Sequence, residues 1–277
     1  MKTDHKVEAT LAADLNVANH IDTIAPKTGT AELLFRCAEQ MGLQPAWIAS
    51  NGLFVITCNG REHYINFARS PLNTHTNASL SRNKHATRLI LERNGLPNIP
   101  FLKPQTIGEA EEFLRTHAKI IAKPASGSGA HDIHIITHPA ELKQLHIKNY
   151  ILEKYIAGKE MRYLVLQGRV IGVHQSEYGT SIDEHRALKR ISYPKSKWDK
   201  TLAELAVKVS AALGLQFVAV DYLVNSEGYS VLEVNTAPGL KWFHAPSSGP
   251  VVDVARQFLE AVVANATPRS SSDLRAA

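Results

Sequence analysis

The sequence predicts an α+β fold that is built on antiparallel sheets. Helical patterns are mixed with short β-rich runs, and several neighbouring runs are separated only by tight turns, which argues against a doubly wound parallel sheet. The chain has 277 residues, a length that corresponds to one large or two modest domains. Its hydrophobic content of 44% and charged content of 21% are typical of a chain that buries a core.

The first part of the chain is predicted to contain an arm, a helix and a hairpin. Residues 1–27 are polar with weak periodicity, which indicates a loosely ordered arm. From Thr30 apolar residues recur at helical spacing until Gly42, a residue that favours the end of a helix. Two β-rich runs then flank Asn59-Gly60, the dipeptide most typical of a two-residue hairpin turn.

Two further helices are predicted before the chain becomes β-rich. Ser81 is a candidate N-cap for a helix that continues through Arg93. Thr106 and Glu109 have the spacing of a capping box at the start of the next helix.

Short strands dominate from Lys119 onward. They are predicted over residues 119–123, 132–137, 150–155, 161–166, 170–175, 217–224 and 229–234. Helices are predicted over residues 200–213 and 250–264, and residues 267–277 have the composition of a flexible tail.

Composition excludes several classes of protein. The balance of apolar and charged residues excludes a disordered chain, a collagen and a coiled coil. Since no apolar run approaches the ~18 residues of a membrane span, we expect no membrane association. No apolar signal segment is visible at the N-terminus, and Cys37 and Cys58 cannot form a disulfide framework. We therefore expect a cytoplasmic protein.

The net charge of +5 favours anionic partners. Trp198, Trp242 and Phe243 are too scattered to form a stacking platform, so we expect no nucleic-acid partner.

A glycine-rich loop follows the strand that ends at Lys123. This glycine loop consists of Ser126, Gly127, Ser128 and Gly129. Glycines let main-chain N–H groups approach phosphate oxygens, and a nearby ammonium adds positive charge. The loop matches neither a Walker A nor a GxGxxG pattern, so a flexible hairpin loop is the alternative interpretation.

Two carboxylates and an amide are predicted to converge on neighbouring strands. Glu233 and Asn235 share one strand face because side chains alternate with a period of two. The turn at Gly228 makes this strand the antiparallel neighbour of the one that carries Asp221. Three such oxygen donors suit Mg²⁺, whereas a solvated sheet face is the alternative.

A third candidate segment runs from Glu153 to Glu160. Here a strand leaves the sheet into a loop whose main-chain groups can read a purine edge, and Glu160 can bind ribose hydroxyls. A strand end with a solvated glutamate is the alternative.

In their order along the chain these segments resemble the ATP-grasp superfamily over about residues 70–265. Among its members the chain is most similar to the carboxylate–amine ligases of the ribosomal-protein glutamate ligase, cyanophycin synthetase and glutathione synthetase type. The motifs are Ser-Arg-Asn-Lys84, Ala-Lys123-Pro with the glycine loop, Glu153-Lys-Tyr-Ile-Ala-Gly-Lys-Glu160-Met-Arg162, and Val-Asp221 with Leu-Glu233-Val-Asn235-Thr-Ala-Pro.

The resemblance implies a fold in which two α+β subdomains with antiparallel sheets clasp a nucleotide. A short, truncated N-terminal domain over residues 28–80 would precede the ATP-grasp domain. That domain would cover residues 81–266, with an ATP-binding subdomain at 81–155 and a metal and substrate subdomain at 156–266.

The resemblance also implies roles for individual residues. Lys84 and Lys123 would contact the ATP phosphates, and the glycine loop would fold over them as a lid. Glu153 and the main chain of Lys154, Tyr155 and Ile156 would hold adenine, and Glu160 the ribose. Asp221, Glu233 and Asn235 would hold two Mg²⁺ ions, with Mn²⁺ as an alternative ion.

The implied activity is ATP-dependent ligation of a carboxylate and an amine, on small molecules or peptides, through an acylphosphate. An ATP-binding regulatory module without turnover and an ATP-grasp-type kinase are the alternatives. Because the N-terminal region is short, part of the acceptor pocket is expected to be missing or completed by a homodimer or partner subunit.

One departure from the relatives concerns an arginine that often precedes the first metal-binding aspartate. Ala219 and Val220 fill this stretch here. The cation that stabilises phosphoryl transfer must then come from elsewhere in the chain. For the basic residues named next, a solvated basic face is the alternative role. The candidates are Arg162, Arg186, Lys189 and Arg190.

Overall fold

The computed structural model describes residues 29–49, 52–58, 60–127, 132–178 and 187–265. The predictions for the N-terminal arm, Ser128, Gly129, Arg186 and the C-terminal tail lie outside these residues.

The described residues form three antiparallel sheets and the helices that cover them. The helices are α1 (Thr30–Gln40), α2 (His75–Arg82), α3 (Lys84–Arg93), α4 (Ile107–His117), α5 (Pro139–Leu142), α6 (Lys200–Ala212), α7 (Lys241–His244) and α8 (Val254–Asn265). The strands are β1 (Ala46–Ala49), β2 (Leu53–Cys58), β3 (Arg61–Asn66), β4 (Phe101–Leu102), β5 (Ile120–Pro124), β6 (His134–Ile136), β7 (Tyr150–Lys154), β8 (Lys159–Leu166), β9 (Arg169–Tyr178), β10 (Ala187–Ser192), β11 (Phe217–Asn225) and β12 (Gly228–Asn235). The predicted α+β class with antiparallel sheets is confirmed.

The N-terminal layer consists of α1 and the sheet β1-β2-β3. Cys58 of β2 pairs with Arg61 of β3, so the predicted antiparallel pairing of these two strands is present. The buried side of α1, which includes Leu34, belongs to the same apolar core as Phe217 of β11 and Phe258 of α8. The short N-terminal region is thereby packed against the large sheet.

The single helix predicted from Ser81 to Arg93 is wrong, because two helices meet at Asn83. The main chain of Asn83 is extended (φ −91°, ψ 98°), and its side chain accepts a hydrogen bond from Ala86 N–H at 3.0 Å. Asn83 therefore caps α3, as asparagine commonly does. Ser81 instead lies within α2, where its hydroxyl donates to the Ala78 carbonyl at 2.9 Å.

The small sheet has the order β4-β7-β5-β6 and is covered by α4. Thr106 caps α4 as predicted, since its hydroxyl accepts from Glu109 N–H at 3.2 Å. Ala110 and Leu114 of this helix are buried in the same core as Leu152 of β7. The face opposite α4 is left to line the cleft.

The large sheet has the order β10-β9-β8-β11-β12. It buries one face under α6 and the other against α8. Five polar side chains form one row across it, since Asp221 pairs with Glu233 and Arg162, and His174 pairs with Arg162 and Ser192. The predicted juxtaposition of Asp221 with Glu233 is confirmed.

No helix in the described ranges is both long and apolar enough to span a bilayer.

Candidate active site

A cavity of about 480 Å³ lies between the small sheet and the edge strand β12 of the large sheet. It gathers seven of the predicted site residues, namely Lys84, Lys123, Ser126, Gly127, Glu153, Glu233 and Asn235. Four further charged residues line it that the sequence did not single out, namely Arg69, Arg82, Arg88 and Asp132.

The Glu153 carboxylate lies between two cations at one end of this cavity. Lys123 Nζ donates to Oε2 and Arg88 Nε donates to Oε1, each at 2.8 Å. Burial alone would raise the pKa of Glu153, but these two cations outweigh it and lower the pKa to about 2. The carboxylate is therefore ionised and engaged on both oxygens. The predicted contact of Glu153 with adenine stays a prediction.

Arg88 connects the two sheets. It is 3% exposed, and besides Glu153 of β7 its guanidinium donates to the carbonyls of Val231 (2.6 Å) and Leu232 (2.8 Å) on β12. Arg88 follows Lys84 by four residues, so both side chains lie on one face of α3. This spacing is the sequence signal from which Arg88 could have been predicted as a site residue.

Lys84 holds the glycine loop against the start of α3. Its ammonium donates to the Gly127 carbonyl at 3.1 Å, and its main-chain N–H donates to the Ala125 carbonyl at 2.9 Å. Gly127 N–H in turn donates to the Arg82 carbonyl at 3.3 Å. Burial lowers the pKa of Lys84. Lys84, Lys123 and the described half of the glycine loop thus lie together, as an anion-binding site requires.

Two of the predicted metal ligands, Glu233 and Asp221, form one end of the polar row, and the third, Asn235, lies two residues after Glu233 on β12. Glu233 and Asn235 line the cavity, whereas Asp221 is buried behind Glu233. Desolvation in the cleft and then the Asp221 carboxylate raise the pKa of Glu233, although half of its side chain (52%) is accessible. Oxygen donors of this kind fit Mg²⁺. No cluster of three His, Cys, Asp or Glu side chains occurs in the described part of the chain, since the third donor here is an amide.

Arg162 is already paired with a carboxylate, and its predicted role as a cation for phosphoryl transfer stays a prediction. Its Nε and Nη2 donate to the two Asp221 oxygens at 2.6 and 2.7 Å, and Nη2 lies 3.9 Å from Glu233 Oε1. Burial opposes the charge of Arg162, but Asp221 outweighs it and raises the pKa of the guanidinium. Arg162 thus offsets the negative charge of the Asp221 and Glu233 carboxylates.

The segment predicted to read the base lies beside the cavity. The N–H groups of Lys154 and Tyr155 donate to the carbonyls of Pro100 (2.9 Å) and Lys119 (3.0 Å), and Ile156 follows them. The binding of adenine by this main chain stays a prediction. Glu160 on β8 accepts hydrogen bonds from the hydroxyls of Ser176 and Tyr178, and so has partners other than a ribose.

The two remaining described candidates lie on β10. Lys189 is exposed and points to the face opposite Arg190. The Arg190 guanidinium lies 5.9 Å from the Tyr178 ring and 5.7 Å from the Trp242 ring. Neither residue lines the described cavity.

A model of the RimK-like ATP-grasp domain matches residues 81–262. The chain belongs to this family. It is 24% identical over 214 residues to the tetrahydromethanopterin:alpha-L-glutamate ligase of Methanocaldococcus jannaschii, with 72% of each chain covered.

The fold is also similar to solved structures of ligases. A bifunctional glutathione synthetase from Pasteurella multocida superposes with a TM-score of 0.65 at 14% identity, over 87% of this chain and 45% of that chain. The ATP-grasp ligase PsnB in complex with a minimal precursor, Mg and ADP superposes with a TM-score of 0.56 at 18% identity, over 69% of this chain and 60% of that chain.

These comparisons confirm the predicted superfamily, the ATP-grasp fold and the class of ATP-dependent ligases that form C–N bonds. ATP and Mg²⁺ are the cofactors of this class. The residue roles, the domain boundaries, the number of metal ions, the use of Mn²⁺, the cytoplasmic location and the oligomeric partner stay predictions.

Proposed function

We propose that this protein is an ATP- and Mg²⁺-dependent carboxylate–amine ligase that forms an amide through an acylphosphate. The observation that supports this most directly is the shared cavity, in which Lys84, Lys123 and Gly127 lie opposite Glu233 and Asn235. Groups suited to bind phosphate and oxygens suited to bind a metal ion thus line one cavity. Since its named relative acts on glutamate, an acidic amino acid is the first candidate substrate.

The residues suit the two chemical steps. A carboxylate oxygen of the acid substrate attacks the γ-phosphorus, and ADP leaves. The amine nitrogen then attacks the acyl carbon, loses a proton and displaces inorganic phosphate. Lys84 and Lys123 would align the phosphates and offset their charge. Asp221, Glu233 and Asn235 would hold Mg²⁺, which supplies further positive charge when bound.

Arg162 would hold the Asp221 carboxylate in place for the metal. Its two hydrogen bonds orient both oxygens, and its charge offsets the repulsion between Asp221 and Glu233. Arg190, which lies near the rings of Tyr178 and Trp242, would be the cation near the acyl group.

The test is a pairwise screen of amino acids and peptides with Mg–ATP, in which ADP release and product mass are both measured. Carboxylate-¹⁸O substrate should transfer its label to inorganic phosphate, as an acylphosphate requires. Glu233→Gln should abolish release, and the exposed Glu227→Gln should not. A stable phosphorylated product without an amine would indicate a kinase, and nucleotide binding without release for any pair would indicate a regulatory module. Either result contradicts the proposal.

A further inference from the structure

Asp132 places a carboxylate beside the part of the cavity in which phosphates are expected. It lines the cavity together with Lys84 and Gly127, and it is the first described residue after the glycine loop. Its main chain has a φ of 58°, a conformation that aspartate and asparagine adopt more readily than most other residues. An ionised carboxylate that faced the cavity here would repel the triphosphate of a nucleotide.

Two side chains of the small sheet bind this carboxylate. The Tyr150 hydroxyl donates to Oδ2 of Asp132, and His134 Nε2 lies 2.6 Å from Oδ1. The rings of His134 and Tyr150 are in edge contact, with their centroids 5.9 Å apart. The hydrogen bond from Tyr150 and then that from His134 lower the pKa of Asp132, so the carboxylate is ionised and engaged on both oxygens.

The two partners of Asp132 lie on the face of the small sheet that is turned away from the cavity. Tyr150 is 7% exposed and belongs to the apolar core under α4. His134 shares a strand face with Ile136 of the same core, because side chains alternate along β6. Lys123, by contrast, lines the cavity from the opposite face. The Asp132 carboxylate is therefore bound from the α4 side of the sheet.

We propose that Tyr150 and His134 are positioning residues for nucleotide binding, which hold the Asp132 carboxylate away from the phosphates. This rests on the proposed ligase function, because it requires the triphosphate of ATP to lie beside Lys84 and Gly127. Without the Tyr150 hydroxyl, Oδ2 loses its donor and the carboxylate is free to turn toward the cavity. Its charge then opposes the phosphates at short range, where the lower dielectric constant of a cleft strengthens the repulsion.

The alternative is a purely structural role, in which Tyr150 and His134 fix the chain after the glycine loop irrespective of charge. The two roles differ in what a neutral side chain at position 132 does. Asp132→Asn keeps the shape of the side chain and suits a positive φ, but it carries no charge. Loss of the Tyr150 hydroxyl in this background is harmless if the charge matters, and harmful if only the hydrogen bond matters.

The test is calorimetric titration of Mg–AMPPNP into the full chain. We expect Tyr150→Phe to weaken the affinity by about tenfold or more, and Asp132→Asn to bind within about threefold of the wild type. The double variant that combines Tyr150→Phe with Asp132→Asn should recover the affinity of Asp132→Asn. His134→Gln should weaken binding in the same direction as Tyr150→Phe.

Tyr64→Phe is the matched control. The Tyr64 hydroxyl also donates to a carboxylate, that of Glu62 at 2.8 Å, but this pair lies on β3 and does not line the cavity. The control should bind Mg–AMPPNP as the wild type does.

Unchanged affinity in Tyr150→Phe would overturn the positioning role. So would a double variant that binds as weakly as Tyr150→Phe, because that pattern indicates an anchor for the chain and not an effect of charge. Failure of the wild type to bind Mg–AMPPNP is a separate result, which would overturn the proposed ligase function and, with it, this role of Tyr150.

Discussion

Arg88 Nε and Glu153 Oε1 lie 2.8 Å apart at a position where both side chains are almost completely buried. Glu153 belongs to the small sheet, and the remaining donors of Arg88 bind carbonyls of β12 in the large sheet. This ion pair therefore connects the two walls of the cavity. Through the second oxygen of Glu153 it also orients the Lys123 ammonium.

Replacing Arg88 by glutamine should destabilise the whole protein. Glu153 would keep a single cation, and two β12 carbonyls would lose their donors. We expect the free energy of unfolding to fall by about 3–5 kcal/mol, as when one partner of a buried ion pair is removed. Urea denaturation followed by circular dichroism measures this.

The control is Arg115→Gln, whose side chain is 75% exposed in its ion pair with Glu112. This substitution should lower the free energy of unfolding by less than about 1 kcal/mol. If Arg88→Gln lowers the free energy of unfolding by no more than this control does, the contacts of Arg88 with the two sheets do not stabilise the protein.

Glu153 should make stability depend on pH in the acid range. Its pKa is about 2 in the folded protein against 4.5 for an ordinary glutamate. A lowered folded-state pKa stabilises the protein above pH 4.5, and this stabilisation is lost as the pH falls toward 2. The wild-type free energy of unfolding should therefore fall by up to ~1.4 kcal/mol per pH unit more steeply than that of Glu153→Gln.

Urea titrations between about pH 3 and pH 6.5 measure the two slopes. Glu227→Gln, in the exposed turn between β11 and β12, should keep the wild-type slope. Parallel curves for the wild type and Glu153→Gln would contradict the lowered pKa.

Asp221 and Glu233, the two carboxylates that we propose to hold Mg²⁺, should respond differently to the same substitution. Asp221→Ala leaves Arg162 buried without its bidentate partner, so we expect a loss of about 3–5 kcal/mol in the free energy of unfolding. Glu233→Ala removes a half-exposed group that lies 3.9 Å from Arg162, and should cost less than about 1 kcal/mol. Both variants should nevertheless abolish Mg²⁺-dependent ATP turnover.

Unfolding titrations and Mg²⁺ titrations of ADP release separate these effects. Turnover of Glu233→Ala within a few-fold of the wild type would refute its role as a metal ligand.

Lys84 should restrain the glycine loop when no nucleotide is bound. In Lys84→Met the charge-assisted hydrogen bond to the Gly127 carbonyl is lost. Amide exchange at Gly127 should then become about tenfold faster or more, because its N–H bond to Arg82 loses this support. Hydrogen exchange with mass spectrometry measures this. The exposed Lys208→Met on α6 should leave the rate unchanged, and equal rates in all three proteins would show that Lys84 does not hold the loop.

Much of the sheet structure follows from local sequence. Asn59-Gly60 and the turn before Gly228 join strands that are close in the chain, so their pairing depends on short loops and on side-chain alternation. The pairing of Asp221 with Glu233 followed from this alone and is present. The helix boundary at Asn83 could not be predicted in this way, because serine and asparagine are both good N-caps. Which of Ser81 and Asn83 begins the helix depends on the residues that pack around them.

The partners of the charged residues were beyond local reasoning. Arg88 is separated from Glu153 by 65 residues and from Val231 by 143 residues, and Arg162 is separated from Asp221 by 59 residues. The sequence by itself determined which strands are neighbours and which side chains share a face, since both depend on residues near in the chain. Only the tertiary structure decided which cations are neutralised and which face the cavity, because ion pairing depends on distances between remote elements and on the water that packing excludes from them.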